Sequence, residues 1–234
     1  MIIMFQGFPE KTIPFFLDLR FHNDSTWFHA HYSEYESAVR KPFYELIETL
    51  APTALEIAPD MEVRPVRCLS RINRDVRFSR DKSPYRDHMW LLLRRAGEER
   101  DQSVMYWFEL SPETVTWGLG FWGPNRPAMD ALRKQMELHP SQVVKAVKQA
   151  KLPSSTLLVC GDSYKKLKVP PDLPKELQTL YPLKEIYIQR ANYPLSNIYT
   201  SKLAQDIAHD YLQLRSMYSL LRNAADVARA TPDA

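Results

Sequence analysis

Glycine occurs only six times in 234 residues, and no Gly/Ser-rich stretch divides the chain. Without a flexible linker, one domain spanning residues 1–234 is the economical organisation. Cysteine occurs twice, at Cys68 and Cys160, with no CxxC pair. That excludes a disulfide framework or zinc knuckle, and both cysteines read as small buried hydrophobes. No run approaches the roughly 20 apolar residues that a bilayer span needs. The start, Met1 to Phe5, is apolar but short and lacks a basic n-region, so it is not read as a secretory signal. The expected setting is therefore aqueous and reducing, namely the cytoplasm, with no membrane partner. No GxxxxGK[ST], GxSxG or HExxH occurs, which removes the P-loop, the nucleophile elbow and the commonest zinc-hydrolase motif. His29 and His31 lie two apart, on different sides of a helix, so neither a metal nor a cofactor is expected.

What is present is ordinary globular material, 44% apolar and 25% charged, with a 12% aromatic share on the rich side. Net charge is +3, and its placement is more telling than its size. Between Arg71 and His88 lie six basic residues (Arg71, Arg74, Arg77, Arg80, Lys82, Arg86) and three acidic ones (Asp75, Asp81, Asp87). The remaining 25 basic and 25 acidic residues cancel, so the whole excess is local. A local excess points to an anion at one place rather than to protein-wide polyanion affinity.

Apolar spacing predicts a short helix over Glu10–Phe21, with Pro14 in its first turn. A second helix, capped at Asn23, Asp24 or Ser25, runs through Trp27, Phe28, Tyr35 and Val39 until Pro42 kinks or breaks it; helical spacing resumes through Leu50. Trp27 and Tyr35 read as core, with Trp27 alone near any cleft. Glu62–Leu69 looks extended, Ser70–Arg86 loop-like, and Asp87–Arg95, Val104–Leu110 and Thr114–Leu119 read as strands joined by short turns. Such a series implies an antiparallel meander. Helices follow from Pro127 and over Ser141–Lys151, then extended pieces at Ser155–Cys160 and Lys184–Arg190 around a proline-rich connector, Val169–Pro174. A long helix over about Ser201–Arg229 carries the stripe Leu203, Ile207, Tyr211, Leu214, Tyr218 and Leu221, read as core packing or as a coiled-coil dimer face. The tail after about residue 230 should fray. The fold class is α+β: a mostly antiparallel sheet flanked by N-terminal helices, a middle helical pair and a long C-terminal helix.

Gly118-Leu119-Gly120-Phe121-Trp122-Gly123 spells GxGxxG, the dinucleotide fingerprint. Its interior is bulky, Pro124 follows at once and the preceding strand belongs to a meander, so the nucleotide reading is set aside. A strand-end turn, where Gly118 and Gly120 admit a close neighbour, fits better.

Four arginines recur every third residue from Arg71 to Arg80. Neither a strand nor a helix aims such a series at one point, whereas a loop folded back on itself could. Arginine forks match carboxylate or phosphate, and Lys82 and Tyr85 add a point charge and a hydroxyl. Asp75 and Asp81 either orient the arginines through ion pairs, or one of them serves as general base or metal ligand. The bland alternative is a solvated, self-paired charge loop, since exposed pairs contribute only ~0–1 kcal/mol and need no functional motive.

The chain resembles the DUF2461 family of conserved hypothetical proteins over nearly its whole length. The resemblance rests on Phe16 and Leu17, then Asn23-Asp24-x-x-Trp27-Phe28, Tyr35, Arg40, Pro42 and Phe43. Its most specific part is Arg71-Ile72-x-Arg74-Asp75-x-Arg77-Phe78-Ser79-x-Asp81-Lys82-x-Pro84-Tyr85. Gly118-x-Gly120-x-Trp122, Arg133 and Leu167-Lys168 with Pro170 add support. Two positions depart from the family pattern: Asp24 stands where a second asparagine is usual, and Pro170-Pro171-Asp172-Leu173 lacks the usual glycine. The family carries no established activity, so the resemblance implies identity without mechanism.

Three functions follow. The first is a pocket for a small phosphate- or carboxylate-bearing ligand, with Arg71, Arg74, Arg77 and Lys82 neutralising it, Tyr85 donating a hydrogen bond and Trp122 and Arg133 closing one wall. The second is a non-enzymatic module whose basic loop docks an acidic protein. The third, ranked last at a net charge of +3, is nucleic-acid binding. Arginines converging on a concavity would favour the first; arginines paired one-to-one with carboxylates would count against it.

Overall fold

The computed structural model describes residues 4–77 and 80–230. The N-terminal part opens with α1 (Thr12–Phe21), α2 (Ser25–Ala30) and α3 (Tyr32–Tyr35). The α2 helix is capped by the Asp24 carboxylate, which accepts from the Trp27 amide at 2.9 Å. Asparagine and aspartate serve almost equally well at this position, which accounts for the change from the family pattern at Asp24.

At Pro42 the chain departs from the expected break. A π-helical turn over Glu36–Arg40 leads directly into α4 (Lys41–Ile57), and Pro42 sits in the first turn of α4. A proline inside a helix offers no N–H to the carbonyl four residues back and crowds it. That carbonyl belongs to Ala38, and the buried Thr12 hydroxyl donates to it at 2.6 Å. The wider turn and Thr12 together let the helix pass a proline without an orphaned acceptor. A second proline, Pro52, also lies inside α4.

The stretch expected to be extended over Glu62–Leu69 instead contains a four-residue helix, α5 (Pro65–Cys68), with proline in its first turn. Next come β1 (Met89–Arg94), β2 (Val104–Leu110), β3 (Val115–Phe121), α6 (Arg126–Leu138), α7 (Pro140–Gln149), β4 (Leu157–Cys160), α8 (Lys175–Gln178), β5 (Tyr187–Arg190), a 3-10 turn (Leu195–Tyr199), α9 (Lys202–Gln213) and α10 (Arg215–Ala230). The five strands form one antiparallel sheet in the order β1-β2-β3-β5-β4, so the fold is α+β. The first three strands are the expected meander. The last two are inserted out of sequence, with β5 pairing antiparallel to both β3 and β4.

Gly118 and Gly120 lie within β3 rather than in a turn after it. A Cβ at Gly118 would overlap the Ile188 carbonyl, and one at Gly120 would meet the Tyr187 backbone. The close neighbour that these glycines admit is therefore β5. The expected long C-terminal helix is interrupted only at Leu214, between α9 and α10. All six stripe residues from Leu203 to Leu221 are buried. Cys68 is buried as expected; Cys160 is half-exposed because β4 is the sheet's edge strand. The tail expected to fray lies outside the described residues from 231 onward.

Contacts group the chain into two compact units. The first comprises residues 1–93, 107–117 and 193–208; the second comprises 94–106, 118–192 and 209–234. In the first, Phe8, Phe43 and Phe108 form an aromatic core, with ring centroids 5.0–6.1 Å apart. In the second, Tyr106 packs on Tyr211 and Tyr218, and its hydroxyl donates to the Tyr211 carbonyl at 3.1 Å.

Candidate functional site

The basic segment folds back as the sequence suggests it could. Ile72–Arg74 and Pro84–Arg86 lie antiparallel: the Arg74 amide donates to the Pro84 carbonyl and the Arg86 amide to the Ile72 carbonyl, each at 2.8 Å. Asn73 and Tyr85 form the bridge of this stem, and the side chains of Ile72 and Tyr85 are buried. The Arg86 guanidinium also donates to the Arg71 carbonyl at 2.7 Å and to that of Asn73, and stacks 4.9 Å from the Trp90 ring centroid.

The stem is seated on the N-terminal helices by a residue that sequence reasoning did not select as a site. The Asn23 side chain accepts from the Tyr85 amide at 2.9 Å and donates to the Tyr85 carbonyl at 3.0 Å. One carboxamide thus bonds both backbone polar groups of one residue, as a neighbouring strand would. Phe28 stacks on the Tyr85 ring at 4.1 Å and also touches Tyr32 and Tyr35. Trp27 is half-buried, flanked by His31 at 4.0 Å and His22 at 5.9 Å. Asn23 was visible only as part of the family pattern and as a candidate cap.

Beyond Phe28 lies a polar ladder on the π-helical turn. Arg40 donates to Glu36 at 2.5 Å and to the Tyr44 and Tyr32 hydroxyls at 3.3 and 3.4 Å. Hydrogen bonding to Glu36 raises the Tyr32 phenol pKa, and burial raises that of Tyr35 well above the ordinary value. The signal in the sequence was Pro42 inside helical spacing.

At the tip of the hairpin the charges are distributed pairwise. Arg77 holds Asp75 at 3.0 and 2.7 Å, and Arg74 pairs with Asp81. The Lys82 amine donates to the Val76 carbonyl at 2.9 Å. Asp81 is bound by Ser83, whose amide donates at 2.9 Å; the bonds from Ser83 lower its pKa. The bond from Arg77 holds the Asp75 carboxyl down to about 2. A carboxylate that acidic is a weak proton acceptor at neutral pH, which does not favour a general-base role. Asp87, partly buried, is drawn upward by that burial, but bonds from His88 and from Arg20 (2.5 Å) outweigh it and leave its pKa lowered.

Three cations of the segment, Arg71, Arg80 and Lys82, are exposed and have no carboxylate partner among the described residues. Arg74 is different: its side chain is only 25% exposed, and its Nε is buried with no hydrogen-bond partner among the described residues. Phe78 and Ser79, part of the most specific run of the family pattern, lie outside the described residues.

Trp122 and Arg133 belong to the second unit. The Trp122 ring is exposed and carries the Arg100 guanidinium 4.3 Å from its centroid. Arg133 is buried on α6, where it donates to the Tyr181 carbonyl at 2.9 Å, to the Leu183 carbonyl and to Asp130 at 2.5 Å. Its place on the inward stripe with Met129, Leu132 and Met136 was the available signal that it is a buried arginine. Lys168 is exposed, and Leu173 after the altered Pro170-Pro171 turn is buried. Among the described residues no three His, Cys, Asp or Glu side chains gather as metal ligands, and no helix is long and apolar enough to cross a membrane.

These features define an α+β protein with an arginine-rich hairpin clamped by an asparagine to a short helix. The family model for "Conserved hypothetical protein (DUF2461)" matches residues 11–219, and the chain belongs to that family. A search of curated proteins finds no match.

Proposed function

We propose that the Arg71–His88 hairpin is a preformed docking surface for an acidic partner protein. The observation that carries this reading is the pairwise use of charge at the tip. Arg74 and Arg77 are occupied by Asp81 and Asp75, while Arg71, Arg80 and Lys82, the last bonded to the Val76 carbonyl, stand exposed without a carboxylate among the described residues. Cations spent on local pairs stiffen a loop but do not converge on a small ligand. Unpaired exposed cations steer an oppositely charged surface and raise its association rate. The Asn23 clamp and the Phe28–Tyr85 stack support a surface that needs little ordering on binding.

The test is capture of partners from a cell lysate at low salt, comparing wild type with Arg71→Glu/Arg80→Glu/Lys82→Glu. An acidic protein retained by wild type, released by salt and lost with the charge reversal supports the reading. Retention of the same proteins by both overturns it.

A second reading, a small anion bound at Arg74, is favoured by one observation, the buried Nε without an acceptor among the described residues. An unmet buried donor costs about 1–3 kcal/mol, which a bound acceptor would recover. Phosphorylated and carboxylated metabolites screened by thermal shift decide it: stabilisation of wild type but not of folded Arg74→Ala supports a small anion, and no shift removes it.

A further inference from the structure

The second unit carries a groove along α10 that the hairpin reading does not use. Three adjoining cavities of about 610, 780 and 630 Å³ follow this helix between its outer face and the α6–α7 pair. They are continuous: the first and third share Ala131, Lys134 and Val227, and the second and third share Gln142, Ala146 and Ser216. On α10 the lining follows Ser216, Leu220, Asn223 and Val227, one stripe at helical spacing. Met217, Leu221 and Ala224, on the opposite side, fill the core. The helix therefore has two faces with different assignments, and the second is open along most of its length, about 24 Å at 1.5 Å per residue.

The chemistry of the groove is graded. Its middle is the most apolar part: Leu138, 72% exposed, and Val227, 46% exposed, flank small Ala131 and Ala146, with Gln142, His139 and Ser219 beside them. Its ends are basic. Arg126, Lys134 and Arg229 line one, Lys145, Lys151 and Arg215 the other, and Asp130 is the one carboxylate in the lining. Asp130 is already bonded to Arg133, and Arg229 pairs with Asp226 and Glu98. Lys134, Lys145 and Lys151 have no carboxylate partner among the described residues. Polar groups on the floor satisfy one another: Gln135 donates to Asn223 at 2.7 Å, and Ser216 donates to the Ala146 carbonyl at 2.8 Å. Among the described residues the unmet features are apolar area in the centre and the ammonium charges of Lys134, Lys145 and Lys151.

We infer that this groove is a docking site for an acidic amphipathic helix of a partner protein. Apolar side chains at i, i+3, i+4 and i+7 would seat on Leu138, Leu220 and Val227, and flanking Glu or Asp would face Lys134, Lys145 and Lys151. A single-stranded nucleic acid fits less well, because among the described residues no Phe, Tyr or Trp lines the groove to stack a base. This inference is independent of the hairpin reading.

The probes are fluorescent synthetic peptides and an oligonucleotide. One peptide places Leu at helical spacing among Glu; a second has the same composition with the Leu positions scrambled; single-stranded oligo-U is the third. The expected result is at least tenfold tighter binding of the amphipathic peptide over the other two. That binding should be lost in Leu138→Glu and in Lys134→Glu/Lys145→Glu, and retained in Arg71→Glu/Arg80→Glu/Lys82→Glu. Both groove variants alter exposed side chains, and unchanged thermal unfolding verifies that they fold. Equal binding of ordered and scrambled peptides, oligo-U binding as tight as the peptide's, or indifference to the groove variants each overturns the inference.

Discussion

Arg77 and Arg133 are the same residue in two settings. Arg77 lies on the hairpin tip, 77% exposed, gripping a carboxylate two residues away. Arg133 is 9% exposed and gathers the Tyr181 and Leu183 carbonyls, which follow α8 in sequence, onto α6. The first shapes a local loop; the second satisfies two buried backbone acceptors. Counting arginines therefore says less about function than asking what each donor holds, and it is the exposed, unheld cations that are available to a partner.

Removal of each side chain should widen that contrast. Arg133→Ala leaves two buried carbonyls and a cavity, and a loss of about 3–4 kcal/mol in urea unfolding is expected. Arg133→Lys should recover little, since an ammonium cannot reproduce the planar fork. A loss below about 1 kcal/mol would erase the distinction from Arg77. Asn23→Ala strips both bonds from the Tyr85 backbone and should cost about 2 kcal/mol. Its signature is local: faster hydrogen exchange at the Tyr85 amide, with amides in the second unit unchanged. Arg77→Ala should leave the urea unfolding midpoint unchanged, as exposed pairs do; a clear loss would mean that the tip supports more than itself.

Acid should act on the tip in the same sense and more gently. Asp75 and Asp81 have lowered pKa values in the folded chain, Asp75 to about 2 from an ordinary 3.8. The Asp75 contribution is complete above the ordinary value and is lost as pH falls from about 4 through 2; that of Asp81 changes in the same direction. Chemical shifts of the Arg77 guanidinium should follow that window. Titration of Arg77 only near pH 4 would place its pair in solvent rather than in contact.

Much of the fold was legible in local pattern. The Asp24 cap, the three-strand meander, Pro127 at the start of α6 and the buried stripe from Leu203 to Leu221 follow from spacing and turn chemistry. The rest depends on partners distant in sequence. Nothing near Tyr187 announces that β5 slots between β3 and β4, although Gly118 and Gly120 mark where it must pass. A four-residue helix such as α5 has too few residues to show a period. The hairpin was legible as a basic segment that folds back, but not the acceptor each cation finds, because i,i+2 and i,i+7 pairs across a turn depend on its conformation. Asn23 escaped selection because a clamp on another segment's backbone leaves no trace in its own neighbourhood.

The π-helical turn over Glu36–Arg40 acts as a phase shifter in the helical count. Each residue advances a helix by about 100°, so one extra residue per turn rotates everything downstream by that angle relative to everything upstream. Phe43, Leu46, Ile47 and Leu50 point into the core only with that offset in place. Deleting one residue from 36–40 would restore a regular helix and turn this apolar row about a quarter revolution out of register. The widened turn thus sets the angular origin from which the inward face of α4 is measured.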